Sequence, residues 1–440
     1  MPINPPLDRM TTPFARDTPL SPPQQTRFRW WIVAVLFLLN FVNNIDRQVF
    51  ALVGPTIQHE LRLSELDFAR LVEVFQFVFA IGCLAAGPVV DRVGVRRMAL
   101  GAVAWFSLAQ LGHIFARSML GLAVARVGLA IGEAPIYPAT LKAIGEWAPR
   151  SERSIMAGAV HFGVMLGPCI APIFIPWLTS LWGWQAGFVV TGLLGFLVLI
   201  PFWLVYSAPE NSPRTSEAEK AAIFESRVAT APTTRIPWFG LLRHRQVWVY
   251  IVIQSFVNPA WWFLVYWLPK FLGEVFGIKG PHLAPYLSTV YAVAAVGAIG
   301  GGSISSLLLR RGWPLHRARI STMLLCGLGM PVIILAAHTR SAWAAIAVIS
   351  LAAVIHQTWT ATGAAILTDL LPPRAIASTV GLGTFIGSIA GVVGAEATGR
   401  ILSVRPAFYL PMFIYAGSAY LVATAVIQIL SPRMQPVQDL

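Results

Sequence analysis

Residues 87–97 read GPVVDRVGVRR, of the form G-x-x-x-D-R-x-G-x-R-R, and they lie between two apolar runs, 66–88 and 98–116. Each run is close to the roughly 20 residues that cross a hydrocarbon core. A short segment with Asp91, Arg92, Arg96 and Arg97 between two such runs therefore reads as a charged turn at a membrane surface. Similar runs recur outward in both directions, at 30–54, 119–142, 155–178 and 184–206, then at 247–271, 284–309, 319–337, 342–367, 377–400 and 406–430. With 56% hydrophobic and only 12% charged residues, the natural solvent of such a chain is a bilayer. The single long polar interruption, Ser207 to Arg245, divides six runs from six. The expected layout is a cytoplasmic tail at 1–29, a six-helix bundle at 30–206, a cytoplasmic loop at 207–245, a second six-helix bundle at 246–430 and a cytoplasmic tail at 431–440.

Basic residues near helix ends are retained on the cytoplasmic side. With both termini placed there, that side holds about 22 of the 32 Lys and Arg, and the opposite side about eight; Arg47 and Arg126 fall inside spans. The same bias accounts for the net charge of +13. The charge is spread over membrane-flanking loops and forms no basic face interleaved with aromatics, so nucleic acid is not an expected partner. Cys83, Cys169 and Cys326 lie in apolar spans without paired spacing, which predicts neither a disulfide nor a metal site. The polar, Pro-rich stretch before Trp30 lacks the pattern of a cleaved signal peptide.

The two halves show traces of a repeat. At an offset of about 223, EWAPRSERSIMAGAVHF from Glu146 lies over DLLPPRAIASTVGLGTF from Asp369, aligning Gly158 with Gly381. The opening motif has a counterpart in GSISSLLLRRG, Gly302 to Gly312, which keeps the glycine and the basic pair but has Ser306 where the acid would stand. In this motif and this six-plus-six layout the chain resembles the major facilitator superfamily. The resemblance implies an all-α membrane protein whose twelve transmembrane helices form two pseudo-symmetric six-helix bundles. It also implies a cytoplasmic gate in which Asp91, with Arg92 in the same motif, meets the N-terminus of the eleventh helix close to Arg374. The plainer alternative is that Arg92, Arg96 and Arg97 only set topology.

An ionisable side chain at mid-bilayer depth costs at least ~2.5–3.5 kcal/mol on insertion scales, so each such residue needs a partner or a function. In the first half these are Asp46, Arg47, Arg126 and Glu133. Asn43 lies one turn before Arg47 on its face, and Arg126 and Glu133, seven residues apart, share a face of the fourth helix. One reading is an anion site in which guanidinium groups hold a carboxylate by forked hydrogen bonds while Asp46 and Glu133 carry the coupling proton. The other is a pair of structural ion pairs, Asp46 with Arg47 and Arg126 with Glu133. The second half offers polar candidates instead: Asn258 with Trp261 and Trp262 on the seventh helix, and His356 and Gln357 on the tenth, with His356 the offset mate of Glu133. Polar side chains of this kind also serve as interhelical glue.

Four stretches, NNIDRQVFALVGPTIQHEL from Asn43, ARVGLAIGEAPIYPATLKAIGEWAPRSERS from Ala125, NPAWWFLVYWLPKFL from Asn258 and HQTWTATGAAILTDLLP from His356, resemble the anion:cation symporter family and its bacterial hexuronate and sugar-acid transporters. That resemblance implies import of a sugar acid, a hexuronate or aldonate, with protons across a bacterial inner membrane. It implies protonation sites at Asp46 and Glu133, carboxylate ligands or charge partners at Arg47 and Arg126, no cofactor beyond the coupling proton, and a monomer. Asn44, Asn258 and His161 depart from residues common in the family and are expected to bear on which acid is taken. Within transporters the rival is proton-coupled export of a drug or metabolite, because GVMLGPCIAP, Gly163 to Pro172, approaches the G-x-x-x-G-P-x-x-G-G motif of antiporters; close packing by small residues explains the same glycines. An enzyme is not expected, since no nucleophile–base pair, metal motif or phosphate loop occurs. A non-transporting membrane sensor of the same fold is the remaining alternative.

Overall fold

Pro88 stands inside the second long helix and Gly94 ends it in a positive-φ conformation, so the charged motif forms a tight reversal between two membrane spans. The computed structural model describes residues 27–225, 238–278, 280–405 and 407–437. Among them are fourteen α-helices and no strand. The first half contains α1 (Arg29–Leu61), α2 (Glu65–Val93), α3 (Val95–Gly112), α4 (Met119–Glu133), α5 (Ile136–Trp147), α6 (Arg153–Trp182) and α7 (Gln185–Val205). A short α8 (Glu217–Glu225) precedes the second half, which contains α9 (Arg245–Phe276), α10 (Ala284–Arg310), α11 (Leu315–Gly329), α12 (Ala342–Leu370), α13 (Pro373–Val404) and α14 (Leu410–Leu430). Twelve segments among the described residues are long and apolar enough to cross a membrane. Side chains such as Phe77, Leu120, Ile173, Val296 and Ile429 point outward, exposed, as lipid-facing positions do.

Two spans are not single helices. The fourth breaks between Glu133 and Ile136, because Pro135 has no N–H to donate to the preceding turn. The ninth turns from α11 into a 3-10 segment, Met330–His338, which carries Pro331. The polar interruption between the halves, read from sequence as loop, contains α8, and nothing in its periodicity announces those nine residues. The expected tail at 1–29, the middle of the expected central loop and the extreme C-terminus fall largely or partly outside the described residues.

Within the first half α1 packs on α6 and α7, and α3 on α4 and α7; within the second, α13 packs on α9, and α10 on α12. The halves meet along α2 with α13 and along α6 with α10. Glycines of the repeat make both crossings. A Cβ at Gly158 would lie 2.2 Å from the Ala298 carbonyl oxygen, and one at Gly302 2.5 Å from that of Ser154. A Cβ at Gly87 would lie 2.6 Å from the Ala377 oxygen, and one at Gly381 2.4 Å from that of Cys83. The glycines paired by the repeat, Gly158 with Gly381 and Gly87 with Gly302, thus become two pseudo-symmetric contacts in which backbone touches backbone.

Candidate functional site

The charges inside the first half are placed by α1 and by the broken fourth span. Gly132 seats α4 against α3, where a Cβ would be 2.7 Å from the Phe106 nitrogen. The helix ends one residue later, before Pro135. Glu133 is thereby fixed in the interior, fully buried, with one oxygen, Oε2, accepting from Arg47 Nε at 2.5 Å. Its other oxygen, Oε1, has no protein partner. The Arg47 guanidinium lies 4.2 Å over the Phe79 ring, and its side chain keeps 30% exposure. Because the bond to Glu133 uses Nε, the far edge of the guanidinium, Nη1 with Nη2, is presented away from the pair.

The alternative of two structural ion pairs, Asp46 with Arg47 and Arg126 with Glu133, does not form: the ion pair joins α1 to α4 as Arg47–Glu133. Adjacent residues on a helix point about 100° apart and do not face each other, so Asp46 looks elsewhere. It is 1% exposed, and neither carboxyl oxygen has a hydrogen-bond partner. Beside it stands Thr191 of α7, whose hydroxyl accepts from Gln110 Nε2 at 2.9 Å. Arg126 shares the Glu133 face but sits about 10 Å along the helix axis; its guanidinium lies between Phe50 and Phe75, 4.3 and 4.2 Å from the ring centroids. Cation–π contact of this kind fixes a guanidinium plane.

Asn43 is buried with its Nδ2 unpartnered, whereas Asn44 donates to the Asn40 carbonyl at 2.9 Å. Asn40, which sequence reasoning passed over, donates to Leu36 oxygen and to Thr140 Oγ1 at 2.9 Å, tying α1 to α5. Gly163 and Gly167, the glycines of the antiporter-like stretch, bring α6 against α1: a Cβ would lie 2.8 Å from Phe37 oxygen and 3.0 Å from Ile45 nitrogen. Close packing accounts for them.

In the second half, His356 stacks on Trp261, with centroids 4.4 Å apart and planes 7° apart, and its Nδ1 is 2.6 Å from the Tyr420 hydroxyl. Gln357 is buried with Oε1 unpartnered. Asn258 and Trp262 press on glycines of α13, where a Cβ at Gly387 would be 2.5 Å from Asn258 Nδ2 and one at Gly391 2.6 Å from Trp262 Cε3. His161 of α6 bonds the Ala157 carbonyl through Nδ1 at 3.2 Å and meets Tyr137 edge-on at 6.2 Å. Tyr137 and Tyr420 escaped the sequence reading, since buried aromatics in apolar spans carry no distinguishing signal.

At the opposite end of the bundle, Asp91 accepts from Ala377 N–H at 3.2 Å and from Ser378 N–H at 2.7 Å, near the start of α13. Its charge partner is Lys142 at 3.3 Å, not Arg374. Arg374 is instead half-buried, its Nε and Nη2 enclosed without hydrogen-bond partners, and Arg92 points outward, exposed. Lys142 sits at the last residue of an apolar run, which hid it among topology-setting cations. A second cluster joins the halves: Asp369 of α12 bonds Arg153 of α6 through Oδ1 and Arg319 of α11 at 2.9 Å through Oδ2. Arg319 also donates to Ser305 Oγ at 2.8 Å and to the Arg150 carbonyl at 3.1 Å, and Arg153 to the Thr368 carbonyl at 2.7 Å. The only signal for this cluster was the repeat that aligned Glu146 with Asp369. With Arg310 reaching Glu152, the ion pairs among described residues that join the halves all lie at this end.

The family model of the Major Facilitator Superfamily matches residues 36–395. A probable galactarate/D-glucarate transporter of Bacillus subtilis (strain 168) is 28% identical over 91% of this chain and 90% of that protein. A hexuronate transporter of Escherichia coli (strain K12) is 29% identical over 64% of this chain and 66% of that protein. Among solved structures, the human organic anion transporter MFSD10 (TETRAN) superimposes with a TM-score of 0.69 at 12% identity, covering 91% of this chain and 99% of that one. The last likeness concerns the fold alone.

Proposed function

This chain belongs to the Major Facilitator Superfamily, a family of membrane transporters rather than enzymes, and we propose that it imports a sugar acid together with protons by alternating access. The observation that carries the reading is the Arg47–Glu133 pair. A guanidinium held by one edge, backed by an aromatic ring and open along its other edge, is suited to a forked grip on a substrate carboxylate. Its partner is a carboxyl buried at membrane depth, where charge without a partner is costly. Protonation of Glu133 releases Arg47 to the substrate, and departure of the substrate returns Arg47 to Glu133. Asp46, buried beside Thr191, is the second proton carrier. Arg126, held between Phe50 and Phe75, adds positive potential to the same region. Relatives named for sugar acids support the substrate class.

In this proposal both termini are cytoplasmic, the carrier works as a monomer in the inner membrane, and the Asp91 and Asp369 clusters form a gate closed on the cytoplasmic side while substrate and proton enter from outside. The test is uptake of labelled D-glucuronate, D-galacturonate and D-galactonate into proteoliposomes with an inward proton gradient. Gradient-dependent accumulation of any one supports symport. Uptake independent of the gradient, or none by inserted and folded protein, refutes it.

A further inference from the structure

We infer that α8, the short helix in the connection between the halves, is a brace for the gate: Glu219 holds Arg29, Arg29 holds Glu152, and Glu152 fixes the turn through which the first half meets the second. The inference adds to the gate reading above and is independent of which acid or ion is carried.

The argument starts at α1, which begins without a cap of its own. Phe28, at the N-cap, has no side chain that accepts a hydrogen bond, and the first turn carries no acid, so its amides need an acceptor from elsewhere. Glu219 supplies it from the connecting segment. Its Oε2 accepts from the Phe28 N–H and its Oε1 from the Arg29 N–H, both at 3.1 Å. Oε1 also accepts from Arg29 Nη1 at 2.8 Å. The Glu219 side chain is wholly enclosed, and Ile223, one turn on and buried in the core, seats α8 there. A carboxylate shut away from water is costly unless it is paired and hydrogen-bonded, and a segment that only spanned the distance between two bundles would have no use for one.

Arg29 turns its other edge to a second carboxylate. Nε and Nη2 donate as a fork to Glu152 at 2.7 and 3.0 Å, so one guanidinium joins two acids through two edges, which an ammonium group cannot do. Glu152 stands at the N-cap of α6, in the turn where the halves touch. The Arg150 carbonyl accepts from Arg319 Nη2 at 3.1 Å. Glu152 Oε1 lies 3.6 Å from Arg310 Nη2 of α10. Arg153 donates to the Thr368 carbonyl at 2.7 Å and to Asp369. Three residues of one turn thus reach across the seam, and Arg29 grips the same turn from within the first half. Parting of the halves breaks the contacts to Arg310, Arg319 and Asp369 and leaves Glu219, Arg29 and Glu152 joined. The brace therefore keeps the turn in the position from which the seam closes again, and Glu219 and Arg29 are positioning residues of the gate.

The experiment uses the full chain in proteoliposomes, with Cys83, Cys169 and Cys326 replaced by Ala and spin labels at Arg97 and Arg317, exposed in the first turns of α3 and α11 on opposite halves. Glu219→Gln raises the population with this end open by about two- to fivefold, the range set by one partly exposed ion pair. Arg29→Lys, which keeps the charge but not the fork, does the same, and the double variant opens no further, as expected of two links in one chain. Hydrogen exchange of the peptide containing Phe28 and Arg29, faster in Glu219→Gln, shows that the contact is lost. Faster exchange with an unchanged distance distribution overturns the brace, as does a double variant whose shift is the product of two independent ones. Should Glu219→Gln fail to insert, Arg29→Lys carries the same test, and an unchanged distribution there overturns the inference. Asp369→Asn, measured alongside, separates the two readings: opening in Asp369→Asn alone overturns the brace and leaves the gate standing, and opening in none of the variants overturns both.

Discussion

In the proposed symport Arg47 and Glu133 divide the work between a group that never loses its charge and one that does. The division depends on their contact at 2.5 Å and on the free far edge of the guanidinium. In the proposed cycle Glu133→Gln imitates the protonated carboxyl, so it should abolish proton-driven accumulation while substrate counterflow persists; equal loss of both in paired assays would assign Glu133 a structural role. Arg47→Lys retains charge but loses the fork, and the expected rise in KM is about tenfold or more, read against an unchanged amount of inserted protein. The four charges were legible from the cost of placing them in hydrocarbon. Their pairing was not, because sequence adjacency of Asp46 and Arg47 suggests a pair that helix geometry forbids, and because the aromatic box of Phe50 and Phe75 around Arg126 is assembled from three helices.

Helices in this fold approach one another where side chains are absent. A Cβ at Gly158 cannot be accommodated 2.2 Å from a carbonyl oxygen of α10, so Gly158→Val should force α6 and α10 apart at the end where the halves now touch. Cysteine labelling of positions near Arg153 should report increased accessibility; unchanged labelling would mean that the crossing does not hold that end closed. The repeat in the sequence identified these glycines as equivalent positions, and twelve apolar runs gave the span count. Two features lay below that level of reading. The break at Pro135 was visible as a proline but not as the device that aims Glu133 inward, and the nine residues of α8 are too few to show a helical period.

Across the whole molecule, Asp369 holds two arginines from different helices, Arg153 of one half and Arg319 of the other, while Asp91 holds the start of α13 with help from Lys142. Removing one member of a buried ion cluster leaves uncompensated charge and typically costs about 3–5 kcal/mol. Asp369→Asn should therefore destabilise this closed arrangement and shift the population toward the opposite-facing state, measured as altered distances between spin labels placed across the two ends of the bundle. A distribution unchanged from the parent would remove the cluster from the gate. The two-bundle architecture was readable because hydropathy and charge bias act over whole segments. The partners of Asp91 and Asp369 were not, since they come from residues 50 or more positions away, and the sequence pointed to Arg374 where the fold supplies Lys142.

The central claim is that a sugar acid and a proton cross together through the Arg47–Glu133 site. It is tested most directly by trapping a pH-sensitive dye inside proteoliposomes held without an initial proton gradient and adding D-galacturonate, D-glucuronate or D-galactonate outside. The account predicts acidification of the lumen on addition of a transported acid, and none with the Glu133→Gln variant. Uptake of the labelled acid by the parent protein without acidification, or acidification that persists in Glu133→Gln, would contradict it.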